Sequence, residues 1–369
     1  PLPSSRRPGV PRLSHMPTSR VAFVPLASLL VSLLASLLAA ACGGEGGNAT
    51  SGPTNGVAPP PGGVAEFSVS PLPIDSFALI TPLGNLNPPG HTLPTDHAYF
   101  YAIDFDRRPI IRDSLVRTVY APATGAIEFM MQPVGTDWKI QFRVTKEFSY
   151  YVDHVIPRPG LTLGMIVRAG EVLGRTNPGG AIDLGAIDTR VTLTGFVNPK
   201  RYPTTSLHAV TPWKYSVEPI RSQLYAKLRR HPAADPDARI DFGIPGRLVG
   251  DWFHESVPNS TEASGPAGWP KSLAYVYDYY DPTKVRIAIG GTIAPPGIWG
   301  IRDDAPRPRD LSVADGKVAY RLMYTESTQM QYGLMLVQMI AEDRIRVQVL
   351  VGSQAGDAEF DERAQVYVR

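Results

Sequence analysis

The amino-acid sequence predicts a mainly β protein with two antiparallel β domains and one connecting helix. Three observations support this fold class. Several short segments alternate apolar and polar residues, as in 138–144, where every second residue is apolar. Prolines and glycines separate these segments and are typical of tight turns between strands. The clearest helical pattern, over 216–231, lies between two β-rich regions.

Residues 1–41 are predicted to lie outside the folded protein. Met16 is the expected start, so 1–15 would be an upstream extension. Arg20 precedes an apolar run over 21–38, and small residues lead directly to Cys42. This order resembles a bacterial lipoprotein signal peptide, with Ala39 where the pattern prefers Leu. Cys42, the only cysteine, would then carry the lipid. The alternative is a transmembrane anchor, because about 18 apolar residues can just span a bilayer.

If Cys42 carries a lipid, the mature chain is expected to be attached to a membrane. Gly43 follows the cysteine, where an Asp would be the retention signal, so the resemblance implies an outer-membrane lipoprotein of the cell envelope that faces the periplasm. Residues 1–41 contain four arginines and no acids, which leaves 32 basic against 34 acidic residues. A mature net charge of −2 without a basic run gives no electrostatic basis for nucleic-acid binding.

The remaining chain divides by composition. Residues 42–65 are rich in Gly, Pro, Ser and Thr and are predicted to form a flexible tether. The first β domain is predicted over 66–200, a helical connector over 201–238, and a second β domain over 239–369. Strands are predicted at 99–104, 138–144, 181–187, 273–280, 285–289, 333–341, 344–349 and 360–369. The second domain is expected to be a small antiparallel sandwich or barrel, with no recognisable chemistry.

The predicted helix over 216–231 has a start signal and one apolar face. Ser216 can cap its first turn, and Pro219 is tolerated there. Ile220, Leu224 and Leu228 recur at helical spacing and would form one buried stripe.

Three segments of the first domain carry a family resemblance. They are Val-Tyr-Ala-Pro-Ala-Thr-Gly-Ala-Ile at 119–127, a single His154, and Gly-Met-Ile-Val-Arg-Ala-Gly-Glu-Val-Leu-Gly at 164–174. This order resembles the core of lysostaphin-type zinc metallopeptidases, which cut peptidoglycan cross-links. The resemblance covers about a quarter of the chain. It implies a lysostaphin-type β-sandwich, a zinc ion, and His154 in the place of a catalytic histidine.

The metal-binding motifs depart from the family pattern. The closing His-x-His corresponds to Ala181-Ile-Asp183, so Asp183 replaces the ligand histidine and Ala181 replaces the catalytic one. A carboxylate can still bind zinc, whereas loss of the imidazole at 181 should weaken catalysis more than binding.

The opening His-x-x-x-Asp motif is displaced as well. His91 and Asp96 are five residues apart, and the position four after His97 is Tyr101, a poor zinc ligand. The ligand set therefore stays open between His91, Asp96 and His97, together with Asp183. Each of these residues could instead be a structural polar residue held by hydrogen bonds. His208, His231 and His254 are expected to be structural or exposed.

The sequence supports two hypotheses about function. In the first, the protein is an envelope lipoprotein and a zinc-dependent endopeptidase of peptidoglycan. In the second, it is a catalytically inactive lipoprotein that binds the cell wall or regulates an envelope partner. His154 and the histidine-rich opening favour the first hypothesis, and the altered closing motif favours the second.

Overall fold

The computed structural model describes residues 56–104, 115–132, 135–325, 327–352 and 357–369, with backbone only at 327–329. The predicted signal sequence, Cys42 and most of the predicted tether lie outside the described residues. Among the described residues, no helix has both the length and the apolar character needed to cross a membrane.

The described residues form eighteen β-strands and two short α-helices. The strands are β1 (Leu79–Thr81), β2 (Ala98–Tyr101), β3 (Thr118–Tyr120), β4 (Gly125–Met131), β5 (Trp138–Arg143), β6 (Phe148–Pro157), β7 (Ile166–Val167), β8 (Val172–Thr176), β9 (Ala181–Asp188), β10 (Ala209–Val210), β11 (Gly250–His254), β12 (Ser272–Tyr277), β13 (Val285–Ile289), β14 (Gly297–Gly300), β15 (Lys317–Tyr324), β16 (Ser327–Ala341), β17 (Arg344–Val351) and β18 (Gln365–Val368). The helices are α1 (Thr204–Leu207) and α2 (Ile220–Tyr225).

The N-terminal sheet contains ten strands, and all of its pairings are antiparallel. Its main order is β1-β2-β9-β6-β5-β4-β7, with β10 on β9 and β3 joined through β8 to β6. The predicted mainly β fold with separate antiparallel β regions is confirmed. The long strand β6 is the branch point, because its first half pairs with β9 and its second half with β8.

Two strands explain how the sequence builds this sheet. In β5 the alternating residues Ile140 and Phe142 are fully buried, as the period of two predicted. Burial of a side chain the size of Phe142 contributes roughly 1.5–3 kcal/mol of hydrophobic free energy. Strand β9 is buried at every position because it lies between β2 and β6. Its polar residues therefore need partners within the protein.

The connector is less helical than the sequence predicts. Helix α2 covers only Ile220–Tyr225, not 216–231, and begins after Pro219 and not at Ser216. The backbone explains the early end: the Ile80 amide donates to the Lys227 carbonyl, and the Arg229 amide donates to the Ile80 carbonyl, both at 2.8 Å. Pairing with β1 thus takes the backbone groups that would have continued the helix.

The C-terminal region is a closed eight-stranded barrel in which each strand pairs with its sequence neighbour. Strands β11 and β18 close it, with Phe253 opposite Val368 and His254 opposite Tyr367. Of the sandwich and the barrel that the sequence allowed, the structure has the barrel. Large side chains fill its interior, including Trp252 and Tyr275, both fully buried.

The barrel packs against the loop that precedes β2. Leu86 and Leu93 of this loop contact an apolar patch of the barrel that includes Val276. The Thr92 hydroxyl donates to the Trp269 carbonyl of the barrel over 3.1 Å. These contacts fix the loop that carries His91, and so the barrel contributes to the position of the site described below.

Candidate metal centre

Three neighbouring strands bring the predicted site residues together. Asp183 in β9 is paired with Tyr99 in β2 on one side and with Asp153 in β6 on the other. His97 immediately precedes β2, and His154 follows Asp153. The order β2-β9-β6 therefore places His97, Asp183 and His154 side by side although the sequence separates them widely.

The two histidines converge on one carboxylate oxygen. His97 Nε2 lies 3.4 Å from Asp183 Oδ2, and His154 Nε2 lies 3.5 Å from the same atom. His154 and Asp183 are each only 3 % exposed. Burial opposes ionisation of the Asp183 carboxyl, but His154 and His97 outweigh it and lower its pKa. The centre thus has a buried anionic oxygen between two imidazoles.

The two distances to Asp183 Oδ2 are close to those between neighbouring ligand atoms of a tetrahedral zinc ion. Ligand bonds of 2.0–2.2 Å in a tetrahedron put neighbouring ligand atoms about 3.4 Å apart. Across the described ranges, no group of three or more His, Cys, Asp or Glu side chains is placed so that it could hold a metal ion. The donor types are ones that zinc takes, and the two distances to Asp183 Oδ2 are close to tetrahedral spacings, but the side chains would have to rearrange to form a metal site.

Asp96 lies behind His97 and orients its ring. Its Oδ1 is 3.0 Å from His97 Nδ1 and accepts a hydrogen bond from Tyr151 Oη at 2.7 Å. Its Oδ2 accepts from Ser206 Oγ at 2.8 Å. Burial opposes ionisation of Asp96, but His97 outweighs it and holds the pKa well below its usual range. Both oxygens accept or share hydrogen bonds, and through them Asp96 orients the His97 ring.

His154 occupies a bulge in β6. Strand β5 pairs Trp138 with Val155 but Ile140 with Val152, so β6 contains an extra residue here. His154 has φ = 62°, and it is the only described residue other than glycine with positive φ. Such a conformation costs about 1–3 kcal/mol and is concentrated at functional sites. The bulge turns the imidazole toward Asp183, and nothing in the local sequence pattern signals it.

His91 stands at the edge of the same cluster. Its backbone pairs with Asn87 through two hydrogen bonds of 2.8 and 2.9 Å. The His91 ring centroid is 5.3 Å from that of His97 and 6.2 Å from that of Trp269. Burial, reinforced by the nearby His97, lowers the pKa of His91 to about 3. A neutral imidazole is thus held next to the converging donors.

The two departures from the family pattern are neighbours. Tyr101 in β2 lies directly opposite Ala181 in β9. The large residue at the opening motif is therefore beside the small residue at the closing motif. Burial raises the pKa of the Tyr101 phenol well above its usual range, and nearby Asp183 adds to this effect. Tyr99 also reaches the centre, with its Oη 3.1 Å from His97 Nε2.

The structure keeps the remaining described histidines away from the centre. His208 Nδ1 lies 2.6 Å from the Val191 carbonyl oxygen, His254 contacts Ser256 and Gln365, and His231 packs against Tyr280.

Sequence reasoning missed several residues that support the centre. They are Asp137, Tyr151, Asn177 and Ser206. Of these, only Asn177 belonged to a recognisable pattern, the Asn-Pro-Gly-Gly turn before β9.

Comparison with known proteins gives limited similarity. No protein-family model matches the chain, and no curated protein matches it. Among solved structures, Csd3 of Helicobacter pylori is 16 % identical over 34 % of this chain and 31 % of its own, with a TM-score of 0.24. A zinc-containing peptidase of Vibrio cholerae is 12 % identical over 34 % of this chain and 37 % of its own, with a TM-score of 0.27.

Lysostaphin is 7 % identical over 74 % of this chain and 80 % of its own, with a TM-score of 0.22. The chain thus spans about a third of the length of the first solved structures that it matches. At such TM-scores these similarities assign no function, and the case for a metal centre rests on the chain's own residues.

Proposed function

We propose that the N-terminal domain is a zinc-binding, lysostaphin-type domain that hydrolyses peptide bonds, with peptidoglycan cross-links as its substrate. The observation that carries this proposal is the convergence of His97 Nε2 and His154 Nε2 on Asp183 Oδ2. Two imidazoles and one carboxylate are a common protein ligand set of catalytic zinc. The substrate comes from the family resemblance and not from the geometry.

Each residue would have a separate task. The family resemblance gave His154 a catalytic place, but its distance from Asp183 Oδ2 gives it the place of a ligand here. His97, His154 and Asp183 would hold the zinc, which when bound would supply a Lewis acid and lower the pKa of a coordinated water. Asp96, Tyr151 and Ser206 keep the His97 ring in place. His91 provides an imidazole next to the ligands in a site where Ala181 provides none. Its neutral ring could donate a hydrogen bond to a developing oxyanion.

A second candidate function has its own support. Two imidazoles on one tetrahedral zinc have ring centroids about 5 Å apart, close to the 5.3 Å between His91 and His97. With His91 as a fourth protein ligand, the site would be closed, as in structural zinc sites. The chain would then be a non-catalytic module that binds the cell wall or regulates a partner.

Zinc content and peptidoglycan digestion test the proposal. The mature chain without its lipid (residues 43–369) should bind one zinc ion per molecule, and Asp183→Ala should lose it. Asp303→Ala is the matched control, because it removes an exposed carboxylate that pairs with Lys284 on the barrel. Absence of zinc after reconstitution at neutral pH would reject the metal centre.

His91→Ala distinguishes the two functions. If His91 serves catalysis, the variant keeps its zinc and loses release of peptides from purified peptidoglycan. If His91 is the fourth ligand, the variant binds zinc more weakly and the unaltered protein releases no peptides. Retained zinc together with unchanged hydrolysis would exclude both roles for His91.

We also propose that Cys42 is lipidated and anchors the protein in the outer membrane, facing the periplasm. Cells expressing the full chain and fed an alkyne-labelled fatty acid should yield a labelled protein in the outer-membrane fraction. Cys42→Ser should abolish the label and release the protein from that fraction. A membrane-bound, unlabelled Cys42→Ser variant would instead indicate the transmembrane anchor.

A further inference from the structure

We propose that Asp137, held by Asn177, is the positioning residue that sets the orientation and tautomer of His154. This inference rests on the proposed function, because it explains how His154 presents Nε2 to the metal. It adds two residues from outside the motifs that carry the family resemblance.

Asp137 stands on the side of the imidazole opposite the candidate metal position. Asp137 Oδ2 lies 3.5 Å from His154 Nδ1, whereas Asp183 Oδ2 lies 3.5 Å from His154 Nε2. The metal-free ring thus faces a carboxylate at each nitrogen, and Asp137 would keep the proton on Nδ1 when a metal takes Nε2. The Asp137 side chain is 14 % exposed, so its charge is only partly screened by solvent.

Asn177 fixes the carboxylate of Asp137. Its Nδ2 donates to Asp137 Oδ2 over 2.9 Å, and its Oδ1 accepts from the Gly179 amide over 2.9 Å. Because both ends of the amide are engaged, the donor cannot rotate away from Asp137. The turn is itself constrained at Gly180, which has φ = 68° and no room for a Cβ beside Leu115.

The arrangement repeats the one around His97. There Asp96 lies on Nδ1 and is held by Tyr151 and Ser206, and His97 Nε2 faces Asp183. Both imidazoles thus have a carboxylate at Nδ1 that is itself fixed by neutral donors. Such outer contacts orient metal-binding histidines and tune them as ligands. The contact at His154 is the longer one, 3.5 Å from Asp137 against 3.0 Å from Asp96 to His97.

His154 needs this support more than His97 does. The bulge releases it from the regular pairing of β6, and its positive φ is sparsely populated by residues other than glycine. Backbone geometry alone therefore does not fix the ring, and contacts from Asp137 and Asp183 supply the restraint.

The test is the tautomer of His154 in the metal-free mature chain, read from long-range ¹H–¹⁵N NMR of its ring. We expect Nδ1 to carry a proton in the unaltered protein, whether or not Nε2 also carries one beside Asp183. Asp137→Ala should shift the ring toward the Nε2-protonated form, Asn177→Ala should do so partly, and Asp137→Asn should restore much of the original state because its carbonyl can accept from Nδ1. An unchanged His154 tautomer in folded Asp137→Ala or Asn177→Ala would overturn the proposal.

Zinc affinity gives a second readout. Loss of an outer-shell partner lowers metal affinity about 10–100-fold. We expect this loss for Asp137→Ala, a smaller one for Asn177→Ala, and none for Asp303→Ala. If the unaltered chain binds no zinc, the proposed function fails while the NMR result still decides the role of Asp137. Equal zinc affinity in all variants would overturn the positioning role.

Discussion

Tyr151 links the sheet to the candidate metal centre through one hydroxyl group. The residue is buried, and its Oη donates to Asp96, which in turn orients His97. Its ring lies over Gly185, the residue opposite it in β9, where a Cβ would come within 2.2 Å of the ring. Glycine at 185 is therefore required by a close approach and not by a turn. Lys139 Nζ lies 3.7 Å from the centroid of the Tyr151 ring.

Tyr151→Phe should weaken both the fold and the metal centre. The substitution removes one donor from the partly buried Asp96 carboxylate, which costs about 1–3 kcal/mol of unfolding free energy. Tyr150→Phe is the matched control, since its equally buried hydroxyl donates to the Ala123 carbonyl away from the site. Urea unfolding and zinc titration should show comparable destabilisation in both variants and weaker zinc binding only in Tyr151→Phe. Equal zinc affinity in the two would contradict the link.

The bulge in β6 is the feature of the sheet that brings His154 into the candidate site. The burial of Ile140 and Phe142 in β5 followed from the alternation of apolar and polar residues. Strand β13 was predicted with its observed bounds, Val285–Ile289. Alternation could not reveal a bulge, because inserting one residue changes the pairing partner and not the local composition. The sequence also left His91, Asp96 and His97 as alternatives, and the register of β2 against β9 brings His97 within 3.4 Å of Asp183.

Replacing His154 by glycine or by alanine measures the strain in the bulge. Both variants lose the imidazole, but only glycine adopts positive φ without a penalty of about 1–2 kcal/mol. We expect His154→Gly to be more stable than His154→Ala by about 1 kcal/mol in denaturant unfolding, the reverse of the usual order in strands. Both should bind zinc poorly. Greater stability of the alanine variant would show that the bulge is unstrained.

The contact between the two β regions contains a buried carboxyl group. Asp251 of β11 accepts a hydrogen bond from Tyr202 Oη at 3.0 Å, and its Oδ1 has no hydrogen-bond partner among the described residues. Arg369 and Asp241 are the charged groups near it. Burial raises the pKa of Asp251 to about 7, and Asp241 adds to the rise. The folded protein therefore favours the neutral form of this acid.

Stability should consequently depend on pH through Asp251. Its folded pKa lies above the unfolded value, so the folded state binds the proton more tightly. The stabilisation that Asp251 contributes to the folded state is complete below about pH 4 and is lost as the pH rises toward 7. Above pH 7 it stays absent. Asp251→Asn should flatten this part of the curve of unfolding free energy between pH 4 and 8. Parallel curves for the two proteins would show that Asp251 does not carry the dependence.

Much of the architecture and part of the site were accessible from sequence. The β class, five of the eight barrel strands and the residues His154 and Asp183 followed from alternation and from the family resemblance. The early end of α2 did not, because it depends on pairing between Ile80 and Lys227. Asp137 and Ser206 also could not be found, since each reaches the centre from a distant segment and neither belongs to a spaced motif.

The closed barrel also has a consequence for the time course of folding. The strand β11 begins at Gly250, but the strand that completes its pairing, β18, ends at Val368. During synthesis β11 therefore cannot pair with β18 until almost the whole barrel has emerged. Pairings between strands so distant in sequence form slowly. Until then β11 presents an open edge, which favours association between chains. Premature termination within β17 or β18 should thus produce aggregation and not a smaller, soluble protein.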